Sequence, residues 1–249
     1  MSIKHLHFPA LLVLTLLLTF NCFSQDSVFN VLTKYTTKEQ VAEVNELLYS
    51  QIKETAFYED EHYTVYKKCR GEWGGAVIFE NKQSGDKYIC ESTCPVTINR
   101  FNNVYYVTAT LHHLSTFTEI LEIRNPEKLK YATADDIKRR FFEDIGTLGA
   151  ETILKQYHTT CLYSFVYKDK LYHITADKEG TFVSEITEGI FKKIQQLSDR
   201  QLWTYDSKTV KEDNRILIGF SSNELSGYVE LDGQLISVYI ANGYIMNHQ

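Results

Sequence analysis

The sequence predicts a mainly β, antiparallel fold, and three observations carry the prediction. The 249 residues include 17 Tyr and 14 Phe but only 3 Pro, a composition that favours strands. From His62 onward apolar and polar residues alternate in short runs broken by Gly, Asn and Asp, the period of half-buried strands. One strand group also recurs within the chain. The remaining composition, 43% hydrophobic and 23% charged, excludes wholesale disorder. A formal net charge of −6 leaves no basic face for nucleic acid.

Residues 1–24 read as a secretory signal peptide. Lys4, flanked by His5 and His7, forms a short basic region, and Leu11 to Phe20 is an apolar run interrupted only by Thr. That run is too short for a permanent membrane span, which needs about 20 residues. Small residues before Gln25 suit cleavage after Ser24. The chain is therefore expected to be exported, periplasmic or extracellular, with no membrane span. The alternative is a lipoprotein anchored at Cys22, although Phe20-Asn21 before it is a poor match for that processing. Loss of Lys4 with the leader leaves 25 basic against 32 acidic residues, a net −7.

The mature chain divides into an N-terminal segment with a helix, 25–60, and a β-rich domain, 61–249. Thr37-Lys38-Glu39-Gln40 has the form of a capping box. Val41, Val44, Leu48 and Ile52 follow at helical spacing with Leu47 beside them, predicting a helix over about 38–56 as the first element. Strands follow at Tyr63–Tyr66, Gly75–Phe79 and Lys87–Cys90, with a turn at Ser84-Gly85-Asp86. Next come Val96–Ile98, the turn Asn102-Asn103, Val104–Thr110 and Phe117–Ile123. A helix is expected over 133–145, capped by Thr133, with Asp135 and Asp136 at its positive end and Ile137, Phe141 and Ile145 on one face. Strands resume at Cys161–Tyr167 and Leu171–Ala176. Ile186–Leu197 fits either a helix or a hairpin. The last strands are Arg215–Phe220, Tyr228–Leu231 and Gln234–Ile240, the final pair joined by an Asp232-Gly233 hairpin signal.

The repeat pairs Tyr105-Tyr106-Val107-Thr108-Ala109 with Tyr172-His173-Ile174-Thr175-Ala176. Each is followed by a second run, Thr116–Ile120 and Thr181–Ile186. Repeated up-and-down strand groups of this kind resemble the blades of a β-propeller, here four or five over about residues 60–245. The resemblance is to an architecture and to exported bacterial-type proteins. No family signature carries residue roles across. A β-sandwich or one large antiparallel sheet is the alternative.

Four cysteines remain after leader removal: Cys69, Cys90, Cys94 and Cys161. An even number in an exported chain permits two disulfides in three connectivities. Along one straight strand Cys90 and Cys94 would lie about 13 Å apart, too far to bridge. They could pair only across a turn; otherwise Cys69 pairs with one of them from a neighbouring strand. The spacing does not suggest zinc, and neither metal nor cofactor is expected.

Motifs for nucleophilic catalysis, zinc hydrolysis and phosphate binding are missing. The candidate binding residues are His112, His113, His173, Trp73 and Trp203. His112 and His113 follow a strand, where neighbours point to opposite faces and cannot chelate one ion together. His173 lies near the corresponding place in the second repeat. Trp73 stands among Gly71, Gly74 and Gly75, and Trp203 in a loop-like stretch, both suited to stacking on sugars or peptides. The sequence thus points to an exported binding or interaction module with a protein or glycan partner. The alternative is a secreted hydrolase of glycans or peptides, its carboxylates gathered by the fold.

Overall fold

The computed structural model describes residues 27–50, 56–113, 116–138, 142, 144–204, 208–222 and 225–241. The predicted leader and Cys22 lie outside them. In chain order the elements are β1 (Asn30–Thr36), α1 (Lys38–Ser50), β2 (Tyr58–Glu59), β3 (Tyr63–Cys69), β4 (Gly75–Asn81), β5 (Lys87–Glu91), β6 (Pro95–Phe101), β7 (Val104–Leu111) and β8 (Phe117–Ile123). Then come β9 (Lys130–Tyr131), α2 (Ala134–Lys138), β10 (Glu151–Tyr157), β11 (Thr160–Tyr167), β12 (Lys170–Asp177), β13 (Gly180–Thr187) and β14 (Ile190–Ser198). The chain ends in β15 (Lys208–Glu212), β16 (Arg215–Ser221), β17 (Ser226–Asp232) and β18 (Leu235–Ala241).

These strands form four sheets, each built on an antiparallel meander. Sheet I has the order β2-β3-β4-β5-β9, sheet II β10-β8-β7-β6, sheet III β11-β12-β13-β14, and sheet IV β1-β18-β17-β16-β15. The fold is mainly β, as expected. The two repeat copies fall on β7 and β12, which occupy the same place in sheets II and III. Their connections differ: β7 and β8 are separated by residues 112–116, β12 and β13 only by Lys178-Glu179. Turn chemistry explains the tight hairpins. Asn102-Asn103, Lys168-Asp169 and Glu188-Gly189 all take positive φ, as type I′ turns require. Glu188-Gly189 makes the ambiguous Ile186–Leu197 segment a hairpin.

The sheets pack in the series I–II–III–IV. Val65, Val77 and Phe79 of sheet I meet Ile98, Tyr105, Val107 and Leu121 of sheet II. Phe165, Tyr172, Ile174 and Val183 of sheet III meet Ile218, Val229 and Val238 of sheet IV, with Phe29 between them. Helices cover the remaining faces of the terminal sheets. Leu48 of α1 packs on Val210 and Leu217 of sheet IV. The approach is close, since a Cβ added at Gly219 would lie 2.7 Å from Leu48 Cδ1. Phe142 and Ile145, after α2, cover Ala76, Ile78 and Ile89 of sheet I. Among the described residues no ring of sheets closes, and no hydrophobic cluster joins sheet I to sheet IV.

The seam between sheets II and III is mixed: Ile120 and Leu154 of sheet II meet Phe191 of sheet III in a small apolar cluster, and beside it lies a hydrogen-bonded part. Ser164, on β11, is its centre. Its hydroxyl meets Thr108 Oγ1 at 2.8 Å. Its amide donates to Thr97 Oγ1 at 3.1 Å, and its carbonyl accepts from Asn99 Nδ2 at 2.9 Å. The Cys161 amide donates to Thr110 Oγ1 at 3.1 Å. β11 is an edge strand, and side chains of sheet II satisfy its open backbone groups in place of a further strand. The same device recurs where the Gln195 amide pairs with both the N–H and the C=O of Phe29, at 3.1 and 2.7 Å.

Several sequence expectations need correction. The first described element is β1, not a helix, and it pairs in parallel with β18. The capping box does form, with Gln40 N to Thr37 Oγ1 and Thr37 N to Gln40 Oε1 both at 3.3 Å. Val41 and Leu48 are buried as expected, while Ile52 and the predicted helix end lie outside the described residues. The inserted helix is described only as Ala134–Lys138, and the buried ring beyond it is Phe142. Phe141 lies outside the described residues. In the last hairpin Asp232 pairs with Leu235, so the turn centre is Gly233-Gln234, one residue later than the motif suggests. Cys69 and Cys94 form a disulfide, and Cys90 and Cys161 are buried free thiols, so the second bridge that the even count permits does not form.

Candidate functional site

The strand ends marked by Leu111, Gly75 and Ser198 lie at one end of the stack, and three connections meet there. The first is the single 3-10 turn Gly71–Trp73 between β3 and β4. Its base is pinned by the disulfide from Cys69 to Cys94, which sits just before β6. Gly75 has no room for a side chain, since a Cβ would lie 2.5 Å from the Lys68 and Ser92 carbonyl oxygens. The second is the β7–β8 connection carrying His112 and His113. The third follows β14 and carries Trp203.

Strand alternation aims the two histidines apart, as their spacing implies. His113 turns toward sheet I and meets Glu72 Oε1 through Nδ1 at 2.7 Å. His112 turns toward sheet III and stacks on Trp203, with ring centroids 3.7 Å apart and planes inclined by 26°. Burial pushes the His112 imidazole below its ordinary pKa, which keeps an uncharged ring against the indole. Trp73, beside Glu72, is 61% exposed. The rim thus combines an open indole, a carboxylate–imidazole pair and a closed imidazole–indole stack.

Four of the five sequence candidates therefore gather at this rim: Trp73, His112, His113 and Trp203. His173 does not. It is fully buried in the II–III seam, where its Nδ1 meets Ser164 Oγ at 2.7 Å. Sequence reasoning missed two residues. Glu72 carried only the signal of standing between Gly71 and Trp73. Ser164 carried none, because serine in a strand reads as outward-facing.

Asp60, Asp136, Asp177 and Glu179 are held in ion pairs of their own. Asp60 is at the opposite end, where it accepts from Tyr105 Oη at 2.6 Å and pairs with Arg100 at 3.5 Å. Burial alone would raise its pKa. Hydrogen bonds from Tyr105 and the Tyr63 and His62 amides, with the Arg100 charge, bring it below the usual carboxylate value. Asp136 caps α2 and meets Lys130 Nζ at 2.9 Å, which with the Thr133 hydrogen bonds pulls it down to about 2. Asp177 and Glu179 share Lys193 at 2.6 and 2.9 Å. Among the described residues no cluster of three His, Cys, Asp or Glu could hold a metal, and no helix is long and apolar enough to cross a membrane.

The chain matches no protein-family model, no curated protein and no solved structure.

Proposed function

We propose that this is an exported binding module that takes a glycan at the Trp73–His113–Trp203 rim. The observation that carries the reading is the convergence of four aromatic or imidazole side chains from three separate connections on one end of the stack. Loops held by a rigid β scaffold are where binding residues concentrate. An exposed indole beside a polar pair suits a sugar, which offers an apolar face to the ring and hydroxyls to its edge. The four meanders are read as propeller-like blades in series, supported by the matching places of β7 and β12. Export is supported by the leader pattern at 1–24 and by a disulfide suited to an oxidising compartment; the lipid anchor at Cys22 remains the alternative. The hydrolase alternative has less support, because glycoside cleavage uses a facing pair of carboxylates and Glu72 is already engaged by His113.

The test is a glycan array and a peptide library probed with the mature chain, followed by titration of any hit against Trp73→Ala. The expected outcome is glycan binding weakened at least tenfold by the substitution. Stability should change by less than about 0.5 kcal/mol, as for a surface position. Peptide hits alone would change the ligand class. Unaltered glycan binding by Trp73→Ala would remove the rim as the site.

A further inference from the structure

We infer that the seam between sheets II and III is an acid-operated joint with His173 as its trigger, and that its opening divides the rim in two. The release of ligand that this implies rests on the rim being the binding site; the opening itself does not.

One ring nitrogen of His173 meets Ser164 Oγ at 2.7 Å, and the other, Nε2, is buried with no hydrogen-bond partner. Protonation would place a charge and a second N–H where nothing accepts it. The groups around the ring are neutral. β11 brings Ser164, with the Cys161 thiol 3.6 Å behind it, and β7 brings Thr108 onto the same serine. β13 brings Ser184 directly opposite in register. β14 brings the Phe191 ring, its centroid 5.2 Å away. The paired charged groups of these elements are engaged elsewhere, Lys170 with Glu185 among them, and Lys192 is exposed. Lys193 holds Asp177 and Glu179, and Glu122, on the seam face of sheet II, is paired with Arg124.

A buried imidazolium without a counter-charge is relieved by admitting water. The joint best suited to admit it is the one partly lined by hydroxyls, because Thr and Ser can exchange partners with water at little cost, and its apolar part, Ile120 and Leu154 against Phe191, is small beside the clusters of the other two seams. The I–II and III–IV seams are apolar and aromatic, so each two-sheet half keeps its own core. Burial pushes the His173 pKa down to about 3 from an ordinary 6.5. A base whose pKa is depressed in the closed state contributes its full stability above about pH 6.5 and loses it as pH falls toward 3. The closed-to-open ratio then falls by up to about tenfold per pH unit across that window. The rim lies across the same joint. His112 belongs to sheet II, and Trp203 follows the last strand of sheet III, so opening separates the stacked pair. His112 is itself held neutral by burial, and its protonation pulls the same way.

Hydrogen exchange on the whole mature chain tests this directly, from pH 7.5 to 4 and corrected for intrinsic rates. The Cys161 and Ser164 amides donate across the seam, so residues 160–167 report on it, while 226–232 report on sheet IV. The expected result is a reversible rise in exchange at 160–167 below pH 6, with 226–232 still protected. His173→Asn, which keeps a group toward Ser164 but cannot become charged, should lower the midpoint by at least one pH unit. His112→Asn should keep a transition. No rise at 160–167 down to pH 4 overturns the inference. So does simultaneous loss of protection at 226–232, which would be whole-fold unfolding. An unchanged midpoint in His173→Asn, or a transition abolished by His112→Asn, assigns the trigger elsewhere. If His173→Asn fails to fold, the wild-type and His112→Asn outcomes still decide. No ligand enters these measurements, so their failure is separate from failure of the rim as a binding site.

Discussion

The II–III seam and the I–II seam hold their strands with different proportions of polar and apolar contact: the first has one small apolar cluster, Ile120 and Leu154 on Phe191, and the second a large one. In the I–II seam Phe79 sits edge-on to Tyr63 and Tyr105, centroids 5.8 and 5.3 Å away. Its polar contacts lie at the two ends, where Tyr105 and Arg100 fasten Asp60 and where Lys67 donates to the Pro95 carbonyl. In the II–III seam the centre is Ser164, Thr108 and His173, and the bonds run to the open edge of β11. The difference shows that burial alone does not demand an apolar seam. Where sheets meet face to face, dispersion and area loss suffice. Where the edge of one sheet meets its neighbour, unpaired N–H and C=O groups must be satisfied, and hydroxyl and amide side chains do this.

Three sets of substitutions sharpen the contrast, from the largest effect to the smallest. Phe79→Ala should destabilise by about 3–5 kcal/mol, the cost of a large cavity in a close-packed site. Urea unfolding followed by far-UV circular dichroism measures it. A loss under 1 kcal/mol would mean that the I–II seam repacks freely. Replacing both Cys69 and Cys94 by Ala should cost about 3 kcal/mol, from the freedom regained by the unfolded chain across a separation of 25 residues. Thermal unfolding with and without a reductant should reproduce the difference in the parent protein. Equal midpoints would show that the strand pairing of β3 with β4 already holds this end. Ser164→Ala should cost about 1–3 kcal/mol, because it strands His173 Nδ1 and Thr108 Oγ1 rather than opening a large void. Combining it with Thr108→Val tests the mechanism. If unpaired polar groups are the cause, the pair should cost less than the sum of the two single changes. Additive losses would show that packing, not hydrogen bonding, governs this seam.

Legibility in the sequence followed the same contrast. Strands such as Val104–Leu111 and Cys161–Tyr167 could be read because apolar residues alternate in them. β1, β10 and β15 could not. They are edge strands, β1 and β10 with mostly exposed side chains and β15 with mostly half-buried ones, so no regularly buried face imposes a period on them. The capping box at Thr37 and the cap at Thr133 were legible because capping is a contact over three residues. The gathering of Trp73, His112, His113 and Trp203 was not, since it depends on three connections far apart in the chain. The extra length of the β7–β8 connection over its repeat counterpart was the one local hint.

By itself the sequence determined the β-rich class, the tight turns, the helix caps and the opposite facing of His112 and His113. Each of these is settled within a few residues by backbone sterics or strand alternation. Only the tertiary structure decided that Cys69 pairs with Cys94 and that helices, not neighbouring sheets, cover the outer faces of sheets I and IV. It alone placed buried Ser, Thr and His in the central seam. Those outcomes depend on which edges and faces meet, and long-range packing selects among partners that local chemistry leaves equivalent.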